Sequence, residues 1–226
     1  MKRVIRAVVI SAALLGVAAP VMAQTAGATA PAASAPSVNL FYVGALAGIG
    51  AVENIGPQVG GEAGFRIKNG FDVVAEGGWI KDVVSRRRLG LTTPVLNYLQ
   101  TTQGKTAEST TTAPTLYGMA GIRWVWERES AVRPYVMATV GMATVEYKPT
   151  VTLAGLDITG SLPAYGVTLG SDLASKQTKA AFGGGIGVIY VRGQLYADAG
   201  LRLLSIATEG QTTNVTRAHI GLGVRF

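Results

Sequence analysis

Apolar and polar side chains alternate most regularly in the last twelve residues, Val215–Phe226. The apolar positions are Ala218, Ile220, Leu222, Val224 and Phe226, and the positions between them are Arg217, His219, Gly221, Gly223 and Arg225. A period of two is typical of a β-strand with one apolar face. An apolar face that ends on an aromatic residue favours contact with lipid, and small or charged residues on the other face favour the interior of a barrel.

Seven further segments show the same period, and their lengths of about 9–12 residues suit a tilted crossing of a hydrocarbon core. These predicted strands are Leu40–Gly50, Val59–Ile67, Phe71–Ile80, Thr115–Trp126, Pro134–Val145, Ala181–Val191 and Gln194–Ile206. The fifth strand, Pro134–Val145, is apolar on both faces. We expect its Val136, Ala138, Val140 and Met142 to point outward.

The connections between the predicted strands alternate in length. Short connections, residues 68–70, 127–133 and 192–193, follow the second, fourth and sixth strands, whereas the longest ones are Lys81–Pro114 and Glu146–Ala180. This alternation predicts an all-β fold, an eight-stranded antiparallel up-and-down transmembrane β-barrel with short periplasmic turns and long external loops. Residues 151–158 have the pattern of a small hairpin, which leaves a ten-stranded barrel open. We favour a fifth and a sixth strand that project above the membrane.

The first residues have the pattern of a secretory signal peptide. Lys2, Arg3 and Arg6 form a basic start, Val8–Ala19 is an apolar run, and a small-residue cleavage site ends at Ala23. The following Ala/Pro/Thr-rich stretch has too little apolar surface to order itself. The predicted organisation is therefore a signal peptide over residues 1–23, a flexible tether over residues 24–38 and the barrel over residues 39–226.

Charge and composition exclude two kinds of partner. Removal of the signal lowers the formal net charge from +7 to +4. That charge is too small to indicate a nucleic-acid partner, and no basic stripe with interleaved aromatic residues supports one. With one histidine and no cysteine, a zinc site is not expected. We expect no cofactor.

The parity of the faces predicts two hairpin registers. Ile67 should pair with Phe71 across a three-residue loop in which Gly70 takes the left-handed conformation. Tyr190 should pair with Leu195 across residues 192–193. The facing residues that follow are Arg66 and Asp72, Glu62 and Glu76, Asp198 and Gly187, and Arg202 and Gly183.

The inward faces carry charges that must find partners. The predicted interior polar cluster is Glu62, Arg66, Asp72, Glu76, Arg123, Asp198, Arg202, Arg217 and His219. Two facing carboxylates, Glu62 and Glu76, require a cation between them, for which Arg123 is the candidate, or the protonation of one carboxyl. Isolated buried charges are costly, and eight strands leave an interior just wide enough for side chains. We expect a plugged interior. The alternative is a narrow-pore porin for ions or small solutes.

Several stretches resemble the small eight-stranded outer-membrane barrels, such as the transmembrane domain of outer-membrane protein A and the barrels similar to outer-membrane protein X. The stretches that carry the resemblance are Phe41–Gly44, Arg133–Val136, the glycine-rich sixth strand and Gly221–Phe226. The resemblance implies insertion in the outer membrane, with contacts to its lipid and lipopolysaccharide. It also implies a non-enzymatic role, structural or adhesive and protective, with a host or surface ligand at the external loops.

The resemblance also assigns a role to the end of the chain. In the family, a terminal phenylalanine with alternate apolar residues is the signal that the outer-membrane assembly machinery reads. Leu222, Val224 and Phe226 match that signal. The peptidoglycan-binding domain of longer relatives is not expected, because the chain stops at Phe226.

His219 is the one residue that suggests catalysis. Some outer-membrane barrels modify lipid A with a histidine, a serine and a carboxylate, and such a histidine must reach its nucleophile. The nearest serine in sequence, Ser205, should lie well above His219, so we expect a packing role and no enzyme. A lipid-A-modifying enzyme stays open as an alternative. So does a soluble periplasmic ligand-binding barrel, which would need its apolar face inward.

Two further groups have candidate roles at the membrane surface. Trp79 lies at the outer end of its strand and Trp124, Trp126 and Tyr190 lie at periplasmic ends, as in aromatic girdles. Arg86, Arg87 and Arg88 lie in the first long loop. They are either a solvated charge run or a contact for lipopolysaccharide phosphates, which guanidinium groups bind in a fork geometry.

Overall fold

The computed structural model describes residues 41–68, 70–126, 130–170, 174–208 and 211–226. The predicted signal peptide and tether lie outside the described residues. The elements, in chain order, are β1 (Phe41–Ala51), β2 (Ile55–Lys68), β3 (Phe71–Ile80), α1 (Arg86–Gly90), α2 (Thr93–Gln103), β4 (Ala107–Thr112), β5 (Thr115–Val125), β6 (Val132–Glu146), β7 (Lys148–Leu153), β8 (Leu156–Asp157), a 3₁₀ helix (Thr159–Tyr165), β9 (Lys176–Arg192), β10 (Leu195–Thr208) and β11 (Gln211–Arg225). None of the helices in these ranges is long and apolar enough to span a membrane.

Eight of the strands close into an antiparallel barrel in the order β1, β2, β3, β5, β6, β9, β10, β11. The first and last strands pair from Tyr42 opposite Arg225 to Ala51 opposite Thr216. The backbone of Phe226 extends this seam, since its N–H donates to the Phe41 carbonyl at 2.8 Å. The predicted eight-stranded up-and-down barrel is confirmed. β6 and β9 pair as far as Glu146 and Lys176, and the predicted hairpin of residues 151–158 lies in a separate sheet, so the ten-stranded alternative is wrong.

The outward face of the barrel is apolar on every strand. Exposed side chains include Phe41, Val43, Ile49, Phe65, Phe71, Val73, Leu116, Ile122, Phe182, Ile186, Leu201, Leu203 and Ile220. Val136, Val140 and Met142 are among them, which confirms the predicted orientation of the fifth strand. Soluble proteins do not expose an apolar surface of this extent, whereas a barrel in lipid requires it. The soluble barrel, with its apolar face inward, is therefore wrong.

The β2–β3 hairpin follows the predicted register except at its turn. Arg66 faces Asp72, and Glu62 faces Glu76, as predicted. The predicted pair of Ile67 and Phe71 is wrong, because Lys68 pairs with Phe71 and the register shifts between Arg66 and Lys68. Asn-Gly is the strongest sequence signal for a two-residue turn. With Lys68 opposite Phe71 and Arg66 opposite Asp72, β2 has one more residue than β3 between these pairs, which is a β-bulge. Gly70 has a φ of +80°, in the predicted left-handed region.

The β9–β10 hairpin is tighter than predicted. Leu195 pairs with Arg192, so the predicted pair of Tyr190 and Leu195 is wrong by two residues. Gly193, at a φ of +61°, supplies the conformation that a two-residue turn requires. The resulting pairs are Asp198 with Ile189 and Arg202 with Gly185, in place of Asp198 with Gly187 and Arg202 with Gly183.

The two long loops fold together into a loop lobe, residues 93–112 and 148–167. In it, β4 pairs with β7 from Ala107 opposite Leu153 to Thr112 opposite Lys148, and β8 adds to β7. The lobe has a core of its own, formed by Leu99, Ala107, Val151, Leu153, Ile158, Leu162 and Val167. At its β8 end, the hydroxyl and backbone N–H of Thr159 donate to Asp157 and lower the pKa of that carboxyl. The loops therefore present a packed surface.

Glycines on the inward face make room for the large side chains of neighbouring strands. A Cβ added at Gly64 would lie 1.9 Å from the ring and hydroxyl of Tyr42, which faces it across β1 and β2. A Cβ at Gly223 would lie 2.4 Å from the ring of Tyr196. The glycine content of the inward face is thus a packing requirement of a narrow barrel.

The substitution Gly64→Ala tests this requirement. We expect it to destabilise the barrel by about 1–3 kcal/mol, the usual cost of overpacking, because the Tyr42 ring has to move. Gly118→Ala is the matched control, since a Cβ at Gly118 meets nothing within 4 Å. The stability of both variants is measured by urea unfolding, with the mobility of the unboiled protein on a detergent gel as the readout of the folded fraction. Equal midpoints for the two variants would contradict the packing argument.

Candidate functional site

All nine residues of the predicted interior polar cluster point into the barrel, where we call them the charged network. Eight of them are buried, and the side chain of Arg66 is 14% exposed. Alternation along the strands was sufficient to find these residues, because it decides on which face of a strand each side chain lies. Their partners depend on contacts across the lumen.

Arg202 is the centre of the charged network. Its Nη2 donates to Glu62 Oε2 at 2.7 Å and to Asp198 Oδ2 at 3.1 Å, and its Nη1 donates to Glu76 Oε2. Arg202 therefore bridges the two facing glutamates, and the prediction that Arg123 does so is wrong. The bridging guanidinium comes from β10, across the lumen, and not from the neighbouring strand. A narrow lumen brings it within reach.

The other arginines complete the pairing of the carboxylates. Arg123 donates to Glu62 Oε1 at 2.7 Å and to Asp72 Oδ2 at 3.2 Å. Arg217 Nη2 donates to Glu76 Oε1 at 2.8 Å, and Arg66 Nε donates to Asp72. Aromatic rings cover two of these guanidinium groups: Arg123 lies 4.6 Å from the Tyr42 centroid and 5.1 Å from that of Tyr135, and Arg217 lies 4.6 Å from that of Tyr117.

His219 belongs to the same network. Its Nε2 lies 3.2 Å from Asp198 Oδ2, which also accepts a hydrogen bond from the Tyr135 hydroxyl at 3.3 Å. Ser205 donates to Asn214 at 2.7 Å, and it lies five residues along β10 from Gly200, the partner of His219. That separation is roughly 16 Å along a strand. Asp198 can orient the imidazole, but Ser205 cannot serve it as a nucleophile. In the described ranges, no three His, Asp or Glu side chains are grouped to hold a metal ion.

Two apolar layers lie on either side of the central pairs of Arg202, whereas Arg66 and Asp72 lie beyond the turn-side layer. On the loop side lie Ile80, Val83, Val84, Ala113, Tyr117, Met119, Ala143, Val145, Tyr147, Ala181, Leu204, Ile206 and Val215. On the turn side lie Tyr42, Val74, Val125, Tyr135, Met137, Ile189 and Tyr196. A charged group between such layers has little access to water, so its ion pairs are strong and the loss of a partner is expensive. Side chains of the two layers and of the network fill the middle of the barrel.

The arginines of the first long loop lie on α1. Arg86 Nη2 is 2.9 Å from Glu53 Oε2, in the β1–β2 connection, and its side chain is 86% exposed. The guanidinium of Arg88 lies 4.1 Å above the ring of Tyr147. α1 therefore contacts the rim of the barrel on the loop side and presents Arg86 to the surroundings.

The predicted girdle residues lie at both ends of the barrel. Trp124 stacks on Phe71 with ring centroids 6.2 Å apart and contacts Trp126 at 4.4 Å, on the turn side. Tyr190 is exposed on the outer face at the same end, and Trp79 is half-buried at the opposite end of β3. The residues of the predicted assembly signal, Leu222, Val224 and Phe226, all lie exposed on the outer face.

Sequence reasoning missed a recess at the turn-side end of the barrel. It is lined by Tyr42, Arg66, Asp72, Arg123, Val125, Arg133, Ile189, Val191, Tyr196 and Arg225. Arg225 shares the inward parity of Arg217, which was a usable signal. Arg133 lies at the start of β6, where strand parity is least defined in a sequence.

The substitution Arg202→Met tests the charged network. We expect a loss of about 3–5 kcal/mol in the free energy of unfolding, the usual cost of removing one partner from a buried ion pair. Glu62 and Glu76 would then face each other without the guanidinium that joins them. Arg86→Met, which breaks the exposed pair with Glu53, should cost below about 1 kcal/mol. Urea titration of both variants in one detergent measures the difference, and similar losses would contradict the central role of Arg202.

The fold has relatives among solved structures. No protein-family model and no curated protein matches the sequence. The crystal structure of Neisserial surface protein A matches with a TM-score of 0.51 and 19% identity, over 82% of this chain and 97% of that one. Two others are the attachment invasion locus protein Ail of Yersinia pestis (TM-score 0.44, 11% identity, 83% of this chain and 97% of that one) and OprG from Pseudomonas aeruginosa (TM-score 0.44, 12% identity, 82% and 95%). At this identity the likeness concerns the fold alone. The chain has the fold of the small eight-stranded outer-membrane β-barrels, as the resemblance implied.

Proposed function

We propose that this protein is a non-enzymatic integral outer-membrane barrel that displays the loop lobe for adhesive or protective contacts. The observation that supports this role is the core of the lobe, because a loop that served only as a connection would need no packed interior. Loops on a rigid scaffold are the usual place for binding residues. The barrel then has a structural role, which is to hold the lobe at the surface.

The location follows from the sequence and the outer face. A signal peptide cleaved near Ala23 would export the chain, and Leu222, Val224 and Phe226 would direct it to the assembly machinery. The exposed apolar band would then contact outer-membrane lipid, with the short turns in the periplasm. Arg86–Arg88 would lie on the external side, where lipopolysaccharide phosphates are the acidic groups available to them.

The enclosed interior supports a barrel that neither conducts nor catalyses. Ions would have to cross two apolar layers and break the pairs of Arg202. The imidazole of His219 contacts Asp198 within the charged network, and Ser205 is too far from the imidazole to act as its nucleophile.

Reconstitution into planar lipid bilayers tests the plug. We expect no reproducible unitary conductance, because the charged network and its apolar layers fill the lumen. The variant Arg202→Met is a useful companion, since it alters the network without changing the loops. Stable, reproducible channels formed by the unaltered protein would contradict the plug and favour the narrow-pore porin.

Replacement of the lobe tests the proposed role. Ile80 pairs with Thr115, and Glu146 pairs with Lys176, so residues 85–112 and 148–174 can each be replaced by a short Gly-Ser linker without lengthening the barrel. Residues 81–84 and 113–114 are kept, because Val83, Val84 and Ala113 belong to the loop-side apolar layer. We expect cells that carry this variant to lose adherence to cultured host cells or survival in serum.

Leu99→Ala is the control for the folded state of the lobe. It keeps the length of the loop but removes a fully buried side chain from the lobe core, at a cost of about 2–5 kcal/mol. A partial loss in the same assays would link the role to the packed surface. If both variants assemble and behave as the unaltered protein in both assays, the proposed role is wrong.

A further inference from the structure

The recess at the turn-side end of the barrel contains more positive charge than its own carboxylate can neutralise. Arg66, Arg123, Arg133 and Arg225 line it, and among the residues that the structure describes Asp72 is the one acidic residue of its lining. Asp72 already accepts hydrogen bonds from Arg66 and from Arg123, the latter at 3.2 Å. Arg133 and Arg225 therefore add two positive charges to a site whose one negative charge is already shared.

Buried donors without acceptors surround the same space. The hydroxyl oxygens of Tyr42 and Tyr196 and the Nε of Arg133 are buried and have no hydrogen-bond partner within the described part of the chain. Tyr42 is 6% exposed and Tyr196 is 4% exposed, and both line the recess. Buried polar groups are nearly always hydrogen-bonded, so each exception calls for an explanation. All three groups can donate a hydrogen bond, so one acceptor bound in the recess would satisfy them.

The neighbouring side chains hold these donors in place. The rings of Tyr42 and Tyr196 meet edge to face with their centroids 5.6 Å apart. Each ring fills the space over a glycine, because a Cβ would lie 1.9 Å from Tyr42 at Gly64 and 2.4 Å from Tyr196 at Gly223. Tyr42 also covers the guanidinium of Arg123 at 4.6 Å. The hydroxyl groups are therefore positioned before any ligand arrives, which reduces the entropic cost of binding.

We propose that this recess is a binding site for a small oxyanion of the phosphate class. Such an anion carries negative charge and several acceptor oxygens. It can accept from the forked guanidinium groups of Arg133 and Arg225 and from the hydroxyl groups of Tyr42 and Tyr196. The enclosed part of the recess has a volume of only about 20 Å³, roughly the space of one or two water molecules, so the anion would lie at the mouth of the recess with some of its oxygens directed inward. This site does not depend on the loop lobe or on its proposed role.

The phosphate group can come from two sources. One is a free phosphate or a soluble phosphate monoester that enters through the open turn-side end of the barrel. The other is the head group of an anionic lipid that reaches the rim from the surrounding membrane. Both offer the same acceptor oxygens, so a binding experiment has to separate them.

Titration of the intact, folded protein with inorganic phosphate tests the site. In a detergent without charged head groups, isothermal titration calorimetry should show saturable binding. The double variant Arg133→Gln/Arg225→Gln should weaken it roughly tenfold or more, the loss expected when charge-assisted hydrogen bonds are removed. Tyr42→Phe/Tyr196→Phe should weaken it several-fold while the gel mobility of the unboiled protein stays unchanged. Arg192→Gln, an exposed arginine at the same end, is the matched control and should bind as the unaltered protein does.

A second arm separates the two sources. The titration is repeated in nanodiscs of phosphatidylcholine and in nanodiscs that also contain phosphatidylglycerol. A lipid head group is the occupant if phosphate binds more weakly in the anionic discs than in the phosphatidylcholine discs, and if the arginine double variant removes this difference between the discs. Equal binding in both identifies a free phosphate. Absence of saturable binding by the unaltered protein in detergent and in both discs overturns the site, as does binding that neither double variant weakens. If the arginine variant does not fold, the tyrosine variant decides.

Discussion

The structure depends on a single electrostatic constraint, which is that every carboxylate inside the barrel must lie within hydrogen-bond reach of a guanidinium group. Between two apolar layers there is little water to solvate a charge, so an unpaired glutamate would cost far more than the contacts around it gain. Arg202 satisfies this constraint for Glu62, Glu76 and Asp198 at once. The small inward residues, the aromatic covers and the narrow lumen are all compatible with that one arrangement.

Much of this fold is contained in local sequence patterns. Strand parity decides which face each side chain takes, because a pleated strand has a fixed period, and this was enough to find the apolar belt and the nine interior residues. The geometry of the turns is harder to predict from the sequence. At Gly193, the preference for a two-residue turn moved the register by two, which face parity alone could not exclude because such a shift leaves every side chain on the same face. At Asn69–Gly70 it changed only the pair next to the turn.

Contacts between distant parts of the chain were beyond sequence reasoning. The partner of Glu62 was sought on an adjacent strand, yet Arg202 reaches it across the lumen from 140 residues away. The pairing of β4 with β7 joins two loops that lie on either side of β5 and β6, and nothing in either loop specifies the other. The recess at Arg133 and Arg225 has the same origin, because closure of the barrel brings the start of β6 and the end of β11 to one rim.

The seam between β1 and β11 has a consequence for how such a chain can assemble. The strand that closes the barrel is the last one made, so the contacts of highest sequence separation form at the end and the fold has a high contact order. Until then Glu62 and Glu76 lack Arg202 and Arg217, and a partly built barrel would carry uncompensated carboxylates toward hydrocarbon. Stable half-inserted intermediates are thereby disfavoured. The ion pairs therefore favour cooperative insertion, and we expect a chain that lacks β10 and β11 to be unstable in the bilayer.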